Sequence, residues 1–298
     1  MIQKGQQYIM GTYSQAPIVI EKGEGVYLTD NTGKKYIDMV SGIAVNSLGY
    51  HHPAIVKAIQ EQAETLIHIS NLYWNIPQIE LAEKLCKASG LSKAFFCNSG
   101  AEANESAIKL ARKYGNGRST IISMIQSFHG RTLGALKATG QTKYQNGFAP
   151  LPEGFKYTEA NNIEMLDQMI DDDTCAIMLE VIQGEAGIIA LDEAYLKHVE
   201  SICQQKDILF IVDEVQTGMG RTGYAFAHQK FDLHPDIVTM AKAIAGGVPM
   251  GAMLAKDHVA AAFNPGDHAS TFGGNPLAAH TACAVADIIF DDTFLAQV

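Results

Sequence analysis

Ile208-Leu209-Phe210-Ile211-Val212-Asp213-Glu214-Val215-Gln216 is an apolar run closed by two acids. A run this short and this uniformly apolar reads as a strand buried on both faces of a parallel sheet. Working outward, Ala94–Cys97, Thr120–Ser123, Cys175–Val181, Ile237–Met240 and Met250–Ala255 repeat the pattern. Between them, apolar residues recur at helical spacing over Pro53–His68, Pro77–Lys87, Ala101–Tyr114, Ile163–Ile170, Glu193–Gln205 and Pro276–Phe290. Strands separated by helix-length segments predict right-handed crossovers, hence an α/β fold with a mostly parallel sheet flanked by helices. The start differs: Pro17–Ile20, Val26–Thr29 and Lys35–Asp38 read as short strands joined by glycine turns at Gly23, Gly25 and Gly33. The expected division is a small β-rich segment over 1–45, a large domain over 46–285, and the start of a further segment over 286–298.

The 298 residues carry a formal net charge of -10, with 47% apolar and 18% charged residues. That composition fits a globular enzyme. A net negative surface repels phosphate backbones and anionic lipid, so neither a nucleic-acid nor a membrane partner is expected. No apolar run approaches the roughly 18 residues that span a bilayer, and the polar N-terminus has no apolar leader core. The five cysteines form no C-x-x-C pair and the ten histidines no ligand spacing, so no metal is expected. Scattered thiols suit a reducing cytoplasm.

Five motifs carry chemistry. Asp213 and Glu214 stand at the carboxyl end of their strand, where open α/β sheets bind ligands. The pair is either a solvated strand end, or a carboxylate that holds a cofactor's ring nitrogen protonated and makes the ring an electron sink. Lys242 follows the strand Ile237–Met240 among small apolar residues; partial burial disfavours its charged form and suits it to Schiff-base formation. In Asn98-Ser99-Gly100-Ala101-Glu102, a helix opens at Gly100 and Ala101. Its free N–H groups either hold a phosphate or belong to a helix start capped by Ser99 and Glu102. In Ser127-Phe128-His129-Gly130-Arg131-Thr132, Phe128 is placed to stack on a heteroaromatic ring and Arg131 to grip a carboxylate, or they are a core aromatic and a surface cation. Ser270-Thr271-Phe272-Gly273-Gly274 is a glycine-rich loop with hydroxyls, suited to a second phosphate contact. Gly218-x-Gly220-x-x-Gly223 matches the dinucleotide fingerprint, but it does not follow its strand directly and no helix pattern opens from it.

Together with Gly42–Pro53, Asn98–Lys109, Phe128–Thr132, Gln183–Gly187, Asp213–Gly218 and Ser270–Pro276, all in the same order, the chain resembles the class III, fold type I pyridoxal-phosphate aminotransferases from about Met10 to its last residue. The resemblance implies pyridoxal 5'-phosphate held as an imine on Lys242, which also shuttles the proton. It places Asp213 on the ring nitrogen with Glu214 beside it, Gln216 near the ring hydroxyl, and Val215 and Phe128 on the two ring faces. Gly100 and Ala101 take the phosphate, joined by Thr271 from the partner of a homodimer. Arg131 takes the substrate carboxylate, with Ser270 and Tyr13 beside it. Glu185 pairs with an arginine of the C-terminal region, which lets one site accept two substrates. The implied reaction moves the terminal amino group of N-acetylornithine to 2-oxoglutarate by a ping-pong cycle in arginine biosynthesis; ornithine, succinylornithine and 4-aminobutyrate are the near alternatives. A cofactor-binding but non-catalytic fragment is the alternative from another class. Gln15 stands where the family often has Arg, and family members continue beyond the point where this sequence stops. The sequence therefore leads to an expectation of an uncovered apolar face at Leu277, Ala284, Val285, Ile288 and Ile289, with a chain prone to aggregate and little turnover.

Overall fold

The apolar runs pair as their patterns require. A computed structural model describes residues 1–298. Its strands are β1 (Ile20–Glu24), β2 (Tyr27–Asp30), β3 (Lys35–Ile37), β4 (Lys93–Cys97), β5 (Thr120–Met124), β6 (Phe155–Thr158), β7 (Thr174–Leu179), β8 (Ile182–Gln183), β9 (Ile189–Ala190), β10 (Leu209–Asp213), β11 (Ile237–Met240) and β12 (Gly251–Ala255). Seven of them form one sheet in the order β4-β12-β11-β10-β7-β5-β6. β10 runs parallel to β7 and β11, and β5 runs parallel to β6 and β7. Only β12 is reversed, antiparallel to β11 and β4. The reason is length: only Ala241–Met250 lies between β11 and β12, and a parallel return needs about a dozen residues or more. Every residue of β5, β7, β10, β11 and β12 is buried, as a sheet covered on both faces demands.

Three strands escaped the sequence reading, as did the short helices Leu133–Ala138 and Thr142–Gln145. β6 is an edge strand of only half-buried residues and Thr158, so its alternation is weak. β8 and β9 are two residues each and form a hairpin that presents Gly184–Ile188. The first predicted strand is also displaced: β1 begins at Ile20, and Gly23 lies inside it rather than in a turn. A Cβ at Gly23 would sit 2.5 Å from Tyr50 Cγ, so this glycine makes room for an aromatic ring. β1, β2 and β3 form a separate antiparallel sheet.

The expected uncovered helix face is not found. Helix Pro276–Ile289 packs against helices Pro53–Thr65 and Ile76–Ser89. Val285 and Ile289 are fully buried, while Leu277, Ala284 and Ile288 are half-buried. Phe290 and Phe294 lie against the same core. No helix is long and apolar enough to cross a membrane.

Candidate active site

A cavity of about 410 Å³ opens at the carboxyl ends of the central strands, where an open α/β sheet leaves a crevice. Asp213 ends β10, level with Thr239 of β11. This register carries Lys242, just past β11, to the same cavity. Asp213 is 2% exposed and every polar neighbour donates to it. Asn104 Nδ2 and His129 Nδ1 reach its Oδ2, each at 2.7 Å, and the Val215 N–H reaches Oδ1 at 2.9 Å. Asn104 is itself held, accepting from Thr239 Oγ1 at 2.6 Å and donating to the His129 carbonyl at 2.7 Å. Burial works against a charged His129. The hydrogen bond and negative charge of Asp213, with Glu180 further off, outweigh that and raise His129 above the usual histidine range.

Lys242 opens a short 3-10 turn, Lys242–Ala245, with a left-handed φ of 46°. A non-glycine residue there carries strain of the kind found at functional sites. Burial lowers its ammonium below the usual lysine range, against the opposing charges of Asp213, Glu185 and Glu180. The result is an amine more readily neutral than a surface lysine.

Helix Gly100–Tyr114 begins at the rim of the cavity, its start fixed by Ser99 Oγ accepting the Glu102 N–H at 3.2 Å. The N–H groups of Gly100 and Ala101 precede the first intrahelical bond and are open to an anion. A Cβ on Gly100 would lie 2.7 Å from Val215 Cγ1, so the absence of a side chain lets Val215 close over this end. Gln216 lies against Gly184, where a Cβ would meet its Oε1 at 1.4 Å. Opposite, Phe128 lines the cavity beside Arg131. The donor set suits pyridoxal 5'-phosphate: a half-buried amine, a buried carboxylate, an aromatic and a valine wall, and free amides at a helix start.

The structure brings Lys242, Asp213, Gly100, Ala101, Phe128, Val215, Gln216, Arg131 and Glu185 to one cavity. Glu214 does not join them. Its buried carboxylate turns the other way, accepting from Thr217 Oγ1 at 2.6 Å and from the Ala227 and His228 N–H groups at 3.1 and 2.8 Å. Side chains alternate across a strand end, so one acid of the pair serves the cavity and the other anchors the following turn. Ser270 and Thr271 line a neighbouring hollow; Ser270 Oγ reaches the cavity only through Asn98 Nδ2, at 3.1 Å. Tyr13 is 77% exposed and outside the cavity. The Gly218–Gly223 stretch forms turns ahead of a 3-10 helix at Ala227–Phe231, not a helix start that cradles a dinucleotide.

Sequence reading missed Asn104, His129 and Glu180. The first two lie within motifs that were singled out, but nothing in their spacing told which carboxylate they would meet. Glu180 follows β7 directly, 5% exposed, its oxygens accepting the Phe128 N–H at 2.9 Å and the Gly184 N–H at 3.5 Å. Burial lifts its carboxyl to about 7, against the pull of His129.

The family model described as "Aminotransferase class-III" matches residues 8–298. The chain is 56% identical over 303 aligned residues to an acetylornithine aminotransferase from Caldanaerobacter subterraneus subsp. tengcongensis, covering 100% of this chain and 77% of that protein. Among solved structures, an ornithine aminotransferase from Toxoplasma gondii superposes with a TM-score of 0.96 at 32% identity, over 99% of this chain and 72% of its own. An N-acetylornithine aminotransferase from Stenotrophomonas maltophilia superposes with a TM-score of 0.84 at 38% identity, over 100% and 73%.

Proposed function

The chain belongs to the class-III aminotransferases, and from that premise we propose that it transfers the terminal amino group of N-acetylornithine to 2-oxoglutarate. The observation that carries this reading is the 56% identity to an acetylornithine aminotransferase across the whole chain. Its cofactor is pyridoxal 5'-phosphate, which when bound supplies the electron sink for breaking the C–H bond beside the transferred nitrogen. Substrates are amino acids and 2-oxo acids.

Lys242 is the amine that holds the cofactor and moves the proton at the reacting carbon, a role its lowered pKa favours. Asp213 pairs with the ring nitrogen, oriented by Asn104 and His129. Val215 and Phe128 close the two ring faces, Gln216 meets the ring hydroxyl, and the Gly100 and Ala101 amides hold the phosphate. Arg131 takes the substrate carboxylate. Glu185, exposed at the tip of the β8–β9 hairpin, faces the second substrate. Residues 46–285 form the cofactor-binding unit, apart from the β-rich segment 1–45.

The working unit is a homodimer. Leu72 and Trp74 are 85% and 87% exposed, far more apolar surface than a lone chain favours. Asn71 ties this stretch to the Ser270–Gly273 loop through bonds of 3.0 and 2.9 Å. A second copy seated there covers the patch and receives Thr271 at its own phosphate site. The five free thiols, four of them buried, suit a reducing cytoplasm.

The test is a substrate panel on the cofactor-loaded protein: N-acetylornithine, ornithine and 4-aminobutyrate, each with 2-oxoglutarate. The expected kcat/KM for N-acetylornithine exceeds the others by at least about tenfold. A preference for ornithine, the reading favoured by the closer backbone match, would replace this assignment.

A further inference from the structure

Arg131 is exposed at the cavity mouth, and nothing in the chain neutralises it: its close neighbours are two aromatic rings. Its guanidinium carbon lies 4.0 Å from the centre of the Tyr144 ring and 5.5 Å from that of Phe128. The two rings meet edge to face, with centroids 5.7 Å apart and planes at 81°. An exposed arginine ordinarily samples many rotamers, and ordering it on binding costs affinity. A carboxylate partner would order it but occupy the donors that a substrate needs. A ring face orders it while leaving its charge and all its N–H groups free.

Tyr144 is built to stay in place. It sits on the short helix Thr142–Gln145; Gln141 at its start ties it to the loop bearing Arg131, and Gln145 at its end ties it to Thr139 and to Tyr157 of β6. Gln145 Nε2 donates to the Thr139 carbonyl at 2.8 Å and to Tyr157 Oη at 3.1 Å. Gln141 Nε2 donates to the Ser127 carbonyl at 3.0 Å. Lys143 Nζ stands 4.6 Å from the Tyr144 ring centre, a second cation against the same ring.

We propose that Tyr144 is a positioning residue for substrate carboxylates, holding the Arg131 guanidinium ready without pairing off its charge. The proposal rests on the reading of Arg131 as carboxylate ligand, and the test separates the two. The readout is the dissociation constant of glutarate, an unreactive dicarboxylate, titrated into the cofactor-loaded protein, alongside KM and kcat for 2-oxoglutarate. Tyr144→Leu is expected to weaken glutarate and raise KM about fivefold, with kcat, cofactor affinity and melting temperature nearly unchanged. Tyr144→Phe keeps the ring face and is expected to restore wild-type values. In an Arg131→Ala background, Tyr144→Leu is expected to change glutarate binding less than about twofold, because the residue it acts through is gone. Additive losses in the double variant would overturn the proposal. So would Arg131→Ala weakening glutarate while Tyr144→Leu does not. If Arg131→Ala leaves glutarate binding intact, the carboxylate reading falls and this inference falls with it.

Discussion

Replacing Asp213 by Asn tests the centre of the site, because its neighbours all donate. With the new amide nitrogen at the Oδ1 position, it faces the Val215 N–H at 2.9 Å. With the nitrogen at Oδ2, it faces the Asn104 amide at 2.7 Å; His129 can change tautomer to accept, but Asn104 Nδ2 is committed by the His129 carbonyl, which can only accept. Either orientation leaves one buried donor without a partner, at about 2 kcal/mol. Exchanging charge-assisted for neutral hydrogen bonds removes about 1 kcal/mol more. The expected loss is about 3 kcal/mol, roughly a hundredfold in the folding equilibrium. It is read from urea unfolding as a lower midpoint at unchanged slope. In the cofactor-loaded protein, the same change is expected to lower turnover by at least about a hundredfold, since the ring nitrogen loses its anionic partner. Cofactor stays bound through Lys242 and the Gly100–Ala101 amides. A variant with wild-type midpoint would refute the hydrogen-bond reasoning, and wild-type turnover would refute the assignment of Asp213 to the ring.

Other expectations follow from the same geometry. Lys242→Ala is expected to abolish transamination and the borohydride-trapped protein–cofactor adduct seen by mass spectrometry; a persisting adduct would mean that another lysine carries the cofactor. Gly184→Ala places a Cβ on Gln216 Oε1. Because that side chain can swing away, stability is expected to fall by less than about 1 kcal/mol while the cofactor dissociation constant rises about fivefold or more; unchanged cofactor affinity would remove Gln216 from the cofactor's contacts. Glu180 has a folded pKa raised to about 7 from 4.5. Its contribution is therefore fully present below 4.5 and lost as pH rises through 7. Glu180→Gln is expected to flatten the stability profile across that window, and identical slopes in the two proteins would argue that Glu180 does not titrate there.

The sequence by itself carried the architecture, because a strand buried on both faces must be a short, uniformly apolar run and a crossover helix must be amphipathic. Strands β10 and β11 and the long helices between the strands were legible for that reason, and so were the residues set at their boundaries: Asp213 ending β10, Lys242 just past β11, and Gly100 opening a helix. Edge strand β6 and the two-residue strands β8 and β9 were not, since they bury too little to leave a period. The cover on helix Pro276–Ile289 was misread because sequence shows that a face is apolar, not which distant helix meets it; residues 53–65 and 76–89 supply it. The same limit divided Asp213 from Glu214. Adjacent acids look alike in a sequence, and only the pleat of the strand end sends one to the cavity and the other to the Ala227 turn. Asn104, His129 and Tyr144 lie 109, 84 and 69 positions before Asp213 in the chain, and tertiary structure alone decided their roles, because a hydrogen bond or a cation over a ring depends on distances that no local pattern encodes.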